Sequence, residues 1–332
     1  MKKSIAVVIA VFAFFIVEAQ FAQAEFNRIY ELNLGNNPQV ADDAIKKAEI
    51  RFPNEAGVKF LRGMYQYKEG DENNAMRSYT DAIKADPKFH ESYLQRAYIF
   101  EKKGLYDKAK EDVTTYIKIN SNNYQGYKLR SGLNYRSENY QSALEDFKSL
   151  IIIKPTSVVN YMDLANTYVQ LNQLQNGKNV LDNAYAVPGI DIDMLNIVYG
   201  QFLLKQKDFE KAKQKYNLAY IKAENKFDSY DFSNFSVCAY KSRELDNAII
   251  YVLKAIKLAP EDIEDRCNLA AYYKDKENWN KVIEIAQAAL NINNNHPLAN
   301  MYMGMGLFKT GKESEGKIYL EKALRLEKEQ KN

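Results

Sequence analysis

Few residues in this chain are placed for chemistry, and the most suggestive are the stretch GLFKTGKE at 306 to 313. Gly306, Gly311 and Lys312 fall at the spacing of a phosphate-cradling loop. Such a loop ends on a Ser or Thr hydroxyl that binds magnesium, whereas position 313 is Glu313, whose carboxylate repels phosphate. A true loop of this type also follows a β-strand. The two histidines, His90 and His296, have no Cys or carboxylate cluster at ligand spacing, so neither a metal site nor any cofactor is expected. No set of nucleophile, base and orienting group emerges from the remaining residues, and an enzyme is not expected. Cys238 and Cys267 are the only cysteines, and two buried thiols are expected in preference to a disulfide.

The elements that would position any such residues recur with a fixed period. A small-residue column runs Gly63, Ala97, Ser131, Ala165, Gly200, Ser236, Ala270 and Gly304. A second runs Ala75, Ala109, Ala143, Gly177, Ala212, Ala248, Val282 and Gly316, and a third runs Ala82, Tyr116, Leu150, Ala184, Ala219, Ala255, Ala289 and Ala323. All three advance by 34 residues and absorb insertions of one and two at the same places. Between the first two columns lies a break, at Gly70-Asp71, Gly104-Leu105, Glu138-Asn139, Lys207-Asp208, Glu277-Asn278 and Gly311-Lys312. Asn73, Asp107, Glu210, Asp246, Asn280 and Ser314 follow it and suit a helix start, while the glycines suit a left-handed helix end. Pro87, Pro155, Pro188 and Pro260 mark a second break. Each unit therefore reads as two helices and a tight turn, and because one pair cannot bury its apolar stripe, the units must stack.

The first residues, MKKSIAVVIAVFAFFIVEAQFAQAE, carry a basic head at Lys2 and Lys3, an apolar run from Ile5 to Val17 and a small-x-small site at Ala22 to Ala24. This pattern is that of a secretory signal peptide, 1–24, cleaved near Ala24, and it places the protein outside the cytoplasm, periplasmic or at the cell surface. The net charge of +3 is nearly neutral and falls further when Lys2, Lys3 and Glu18 leave with the leader, so no basic patch points to nucleic acid.

The small, small, aromatic, Ala, Pro pattern at Gly63, Ala75, Tyr79, Ala82 and Pro87 resembles the tetratricopeptide repeat family. The resemblance implies an all-α fold, an alpha-alpha superhelix of about eight 34-residue repeats. It divides the chain into an N-terminal partial repeat at 25–55 with a poor first helix, repeats 1 to 4 at 56–192, and repeats 5 to 8 with a tail at 193–332. Val113, Val252 and Ala286 depart from the aromatic position, Val282 departs from a small one, and the linkers around Pro188-Gly189 and Glu224 to Asp228 are long.

In this family the first helix of each repeat lines a concave groove that grips peptides. Carried over, the groove columns are Phe60, Met64 and Tyr67; Leu94, Tyr98 and Glu101; Lys128, Gly132 and Tyr135; Met162, Asn166 and Val169; Ile197, Gln201 and Leu204; Ser233, Ser236 and Tyr240; Cys267, Ala271 and Lys274; Met301, Met305 and Phe308. Lys128 and Asn166 match two residue types of the family's carboxylate clamp, but Gly132, Met162 and Ile197 do not complete it. The resemblance thus implies a non-catalytic scaffold for protein or peptide partners, with Tyr67, Tyr98, Tyr135 and Tyr240 as anchors. No nucleic acid or small-molecule substrate is expected. In the last repeat the groove columns turn wholly apolar at Leu298, Met301, Met305 and Phe308, with Tyr302 alongside, which suggests a partner or self-association surface. A self-associating structural protein of the cell envelope is the alternative reading.

Overall fold

The computed structural model describes residues 23–35 and 37–331. The apolar run and basic head of the leader lie outside the described residues. Every described element is helical, with no strand among them. The helices are α1 (23–34), α2 (Pro38–Arg51), α3 (Ala56–Lys68), α4 (Glu72–Ala85), α5 (His90–Lys102), α6 (Tyr106–Ile119), α7 (Tyr124–Arg136) and α8 (Tyr140–Ile153). They continue with α9 (Val158–Gln170), α10 (Leu174–Ala184), α11 (Ile192–Lys205), α12 (Phe209–Ala223), α13 (Ser229–Lys241) and α14 (Leu245–Leu258). The last four are α15 (Ile263–Asp275), α16 (Trp279–Ile292), α17 (Pro297–Lys309) and α18 (Glu313–Lys331). From α3 onward they form the eight expected helix pairs. No helix among the described residues is long and apolar enough to cross a membrane.

Contacts group the chain into two compact units, one ending at Lys154 and one starting at Pro155. In the first, each helix from α2 to α7 packs on the next. In the second, α9, α11, α13, α15 and α17 also touch their successors in that series, so the first helices of neighbouring repeats lie side by side. The three small-residue columns are the buried seams of these pairs. Ala75, Ala109, Ala143, Ala212, Ala248 and Val282 are fully buried, as are Ala97, Ala165 and Ser236.

The turns inside the pairs share one conformation. Gly70, Gly104 and Gly311 take positive φ, and at the equivalent position so do Glu138, Asn172, Lys207, Arg243 and Glu277, with φ between 57° and 65°. A hydrogen bond from the next residue's N–H closes each turn, as from Asn139 to Asn134 O at 2.9 Å and from Asn278 to Tyr273 O at 2.9 Å. The capping residues sit two positions earlier than the sequence pattern implies. Asp71, Asn139 and Asn278 accept from the N–H of Asn74, Ser142 and Lys281, while Asn73 and Asn280 lie inside the first turn. Gly306 lies within α17 and Gly311 in the turn after it, so no strand precedes the GLFKTGKE stretch and it is a repeat turn.

The first helix of the N-terminal unit, expected to be poor, is formed. Ile29 is buried with Ile45, Val58 and Leu61, and Asn33 Nδ2 donates to Leu61 O at 3.0 Å. The long linker after α12 winds into a 3₁₀ turn, Glu224–Lys226, and buries Phe227 against Tyr216, Tyr220, Phe232 and Phe235.

Two substitutions test this packing. Ala109→Trp overfills a seam where Ala109 is fully buried and should cost about 1 to 3 kcal/mol or more, read as an earlier urea transition; an unchanged curve would place Ala109 on the surface. Conversely, Glu277→Gly relieves a left-handed side chain that costs about 1 to 2 kcal/mol, partly offset by the greater freedom of unfolded glycine. A net gain of about 0.5 to 1 kcal/mol is expected, against no gain at exposed helical positions.

Candidate functional site

On α3 and α5 of the first unit, exposed and half-buried side chains converge. Tyr67 is 41% exposed, Tyr98 is half-buried, and with Gln95, Glu101 and Lys102 they line a depression of about 400 Å³. Lys102 is held at its edge by Glu72 at 2.5 Å. Burial, reinforced by the charge of Glu101, raises the Tyr98 phenol above its ordinary value, so its O–H stays a donor. Glu101 also pairs with Arg136 of α7. Farther along, Lys128 is exposed and Tyr135 is half-buried, its ring edge-on to Tyr140 at 5.3 Å.

The second unit presents a different set. Asn166 is half-buried on α9. Tyr240 of α13 donates its O–H to Asp275 Oδ2 and lies 4.7 Å from the Tyr272 ring, and the bond to Asp275 pushes its phenol up to about 12. On α17, Leu298 and Phe308 are 41% and 48% exposed, with Met301 and Met305 half-buried between them on one helical face. Tyr302 packs partly against the core formed by Cys267, Ala286, Leu290 and Met303.

Five residues assigned to the groove columns are buried instead: Phe60, Leu94, Ile197, Ser236 and Cys267. Phe60 packs on Tyr79 and Phe89, and Leu94 joins the core around Val113 and Leu129. Ser236 belongs to the small-residue seam, while the column of the other four faces the contact between successive repeats, and only its polar or flexible members, such as Lys128, Met162 and Met301, retain exposure. With Ile197 buried, that position offers no group to a carboxylate clamp.

The structure also joins residues that sequence distance separates. His296 Nδ1 lies 3.7 Å from Cys267 Sγ and accepts from Ala299 N–H at 3.4 Å, while Nε2 lies 3.0 Å from Glu264. Nδ1 thus faces the thiol and the helix start, and Nε2 faces the carboxylate. A thiol, an imidazole and a carboxylate in a row suggest an activated nucleophile, but burial pushes the Cys267 thiol up to about 12, and Glu264 and Asp262 add to the rise. The thiol stays protonated, and the row serves as the cap of α17. The spacings of 29 and 32 residues, one repeat less a few, are the signal that could have revealed it. Cys238 is likewise a free, buried thiol. Among the described residues no group of three His, Cys, Asp or Glu is arranged to hold a metal.

A family model described as the tetratricopeptide repeat matches residues 56–89 and 90–123. Residues 56–123 therefore carry two tetratricopeptide repeats. A BBSome complex member homolog of Drosophila melanogaster is 21% identical over 300 residues, 87% of this chain and 61% of that one. Hsp70-Hsp90 organizing protein 2 of Arabidopsis thaliana is 23% identical over 142 residues, covering 43% of this chain and 25% of that one. Thus this repeat chain spans less than two thirds of these relatives' own lengths. The crystal structure of yeast Tom70 matches with a TM-score of 0.53 and 18% identity, over 88% of this chain and 59% of that one. A tetratricopeptide repeat protein from Parabacteroides merdae gives 0.53 at 12% identity, over 76% and 98%.

Repeat-to-repeat bonds in the second unit carry a titratable group. Gln201 Nε2 of α11 donates to Asp231 Oδ1 at 2.7 Å, and Asp231 forms a reciprocal cap with Asp228 at the start of α13. Burial lifts the Asp231 carboxyl from 3.8 to about 6, with the charge of Asp228 adding to it. The folded chain therefore holds a proton that the unfolded chain has released, so this group's stabilisation is present below pH 3.8 and is lost as pH rises to about 6. Compared with Asp231→Asn, the wild type should lose stability across that window, by up to about 3 kcal/mol. Parallel urea curves for the two proteins check this, and a constant difference between pH 4 and 7 would contradict it.

Proposed function

We propose that this chain is a non-catalytic scaffold that holds protein or peptide partners on the first helices of its repeats, acting outside the cytoplasm in the assembly of a cell-envelope or secretion complex. The observation that carries the reading is the set of exposed and half-buried aromatic and apolar side chains that those helices leave accessible, above all Tyr67 beside Tyr98 and the stripe Leu298, Met301, Met305 and Phe308. Stacked helix pairs form extended binding surfaces in this architecture, and amphipathic rings and polarizable thioethers suit peptides of varied sequence. Export rests on the Lys2-Lys3 head, the apolar run and the small residues at Ala22 and Ala24. The relatives' names agree with an assembly role, since one is a complex member and another an organizing protein.

Tyr67, Tyr98, Lys128, Tyr135, Asn166 and Tyr240 are the proposed contacts along the two units, and Leu298, Met301, Tyr302, Met305 and Phe308 those of the last repeat. The apolar stripe on α17 also suits a second copy of the chain, which makes self-association the alternative. The double change Met301→Glu and Met305→Glu places two charges on this face. Helicity should persist, while partner capture by cross-linking in the native cell, or dimerisation seen by light scattering, should be lost. Undiminished capture and unchanged mass by the folded variant would exclude the stripe.

A further inference from the structure

At the N-terminal edge of the first unit, α1, the start of α3 and the loop before α5 enclose a cavity of about 550 Å³ that lies apart from the tyrosine depression. Its floor is aromatic. Phe26 meets Phe89 edge-on at 6.4 Å, and Phe52 closes the side toward α2. Its rim is acidic, carrying Glu25, Glu55, Asp86 and Glu91, and among the described residues no Lys or Arg lines it. Among the described residues Glu55 and Asp86 have no cationic side chain within ion-pair distance, Glu91 meets only the His90 ring at 3.4 Å, and Glu25 meets Arg51 at 3.3 Å. Glu55 stands at the N-cap of α3 with no side-chain bond to the helix, so its carboxylate remains open to a ligand.

The chain itself shows how such a site holds a cation. The Arg51 guanidinium reaches Glu25 and lies 5.0 Å from the centroid of the Phe52 ring, pairing a carboxylate with an aromatic face at the cavity's edge. A volume of 550 Å³ accommodates more than that contact uses, within the range of small-ligand and side-chain pockets. We propose that this cavity binds a peptide segment in which an arginine or lysine adjoins a large apolar residue, the cation on the rim carboxylates and the apolar side chain among Phe26, Phe52 and Phe89. The proposal takes from the scaffold reading only that the ligand is a peptide; the site is a different one.

The probe is a blocked hexapeptide alternating arginine and leucine, with two controls in which glutamate replaces arginine or glycine replaces leucine. Titration of the full chain, followed by calorimetry, should give binding to the first peptide alone, weakening as salt is raised. Glu55→Gln combined with Asp86→Asn keeps the backbone bond from Lys88 N–H within reach of residue 86 and removes two charges. It should weaken binding at least about tenfold, equivalent to about 1.4 kcal/mol. The change Tyr67→Ala with Tyr98→Ala should leave the affinity unaltered. Equal binding of the acidic peptide, or full affinity in the Glu55 and Asp86 variant, would overturn the proposal. Loss only in the tyrosine variant would move the peptide to the groove, overturning the cavity site while leaving the scaffold reading intact.

Discussion

The distance between the two helices of a pair governs the rest of this structure. A Cβ placed on Gly63 would lie 2.6 Å from the Tyr79 ring, on Gly200 3.0 Å from Tyr216, and on Gly304 2.7 Å from Leu320. Where the second helix offers a large side chain, the first gives up its own, and where it offers Val113 the first carries Ala97. This exchange of volume across the seam keeps the separation constant while the residues vary. A constant separation in turn requires the same tight turn in every pair, which is why Glu138, Lys207, Arg243 and Glu277 accept a left-handed backbone that their side chains disfavour. Four such residues among the described ones indicate that the packing gained exceeds the local strain.

The two units meet this constraint by different means. In the first, Arg96 donates through Nε and Nη2 to both oxygens of Asp112 at 2.7 Å, and through Nη1 to Thr80 of the preceding pair at 2.9 Å. Arg130 repeats the arrangement with Asp146 and Thr114. One planar guanidinium thereby spans two repeats, which fixes their register geometrically. Burial raises the Asp112 carboxyl despite the guanidinium, so the net stabilisation is small and the gain lies in orientation. In the second unit the same column holds Leu164, Tyr199, Phe235, Leu269 and Met303. There Phe235 stacks on Tyr251 at 3.8 Å, and the rings of Tyr216, Tyr220, Phe227 and Phe232 gather around the longer linker. Aromatic area is less exacting about position than a bidentate pair, which lets the second unit absorb insertions of one and two residues.

The seams were legible in the sequence because packing repeats with the helix pair, so Gly63, Ala75 and Ala82 recur in register through Gly304, Gly316 and Ala323. The groove was only half legible. Its columns lie one turn apart on the first helix, and the outermost face shades into the contact with the next repeat, so Phe60, Leu94 and Ile197 turned inward where Lys128 and Met301 did not. Periodicity gives the angle of a residue around its helix, whereas burial depends on the side chain opposite. Least legible were the bonds between repeats, Gln201 to Asp231, Tyr240 to Asp275 and Cys267 to His296, because the residue types that make them change from repeat to repeat.

That division of labour bears on how such a chain acquires function. Seam positions must stay small or matched in size, so they carry little information about a partner. Residues on the free faces of the first helices contribute little to stability, since solvent screens exposed pairs such as Lys102 with Glu72. They can therefore change from one repeat to the next without loss of the fold, and here they do: tyrosines and mixed charge on α3 to α7, then an apolar and methionine-bearing face on α17. Recognition is thus a property of side chains that the stack tolerates and does not need, and different faces of one scaffold can be tuned to chemically different partners.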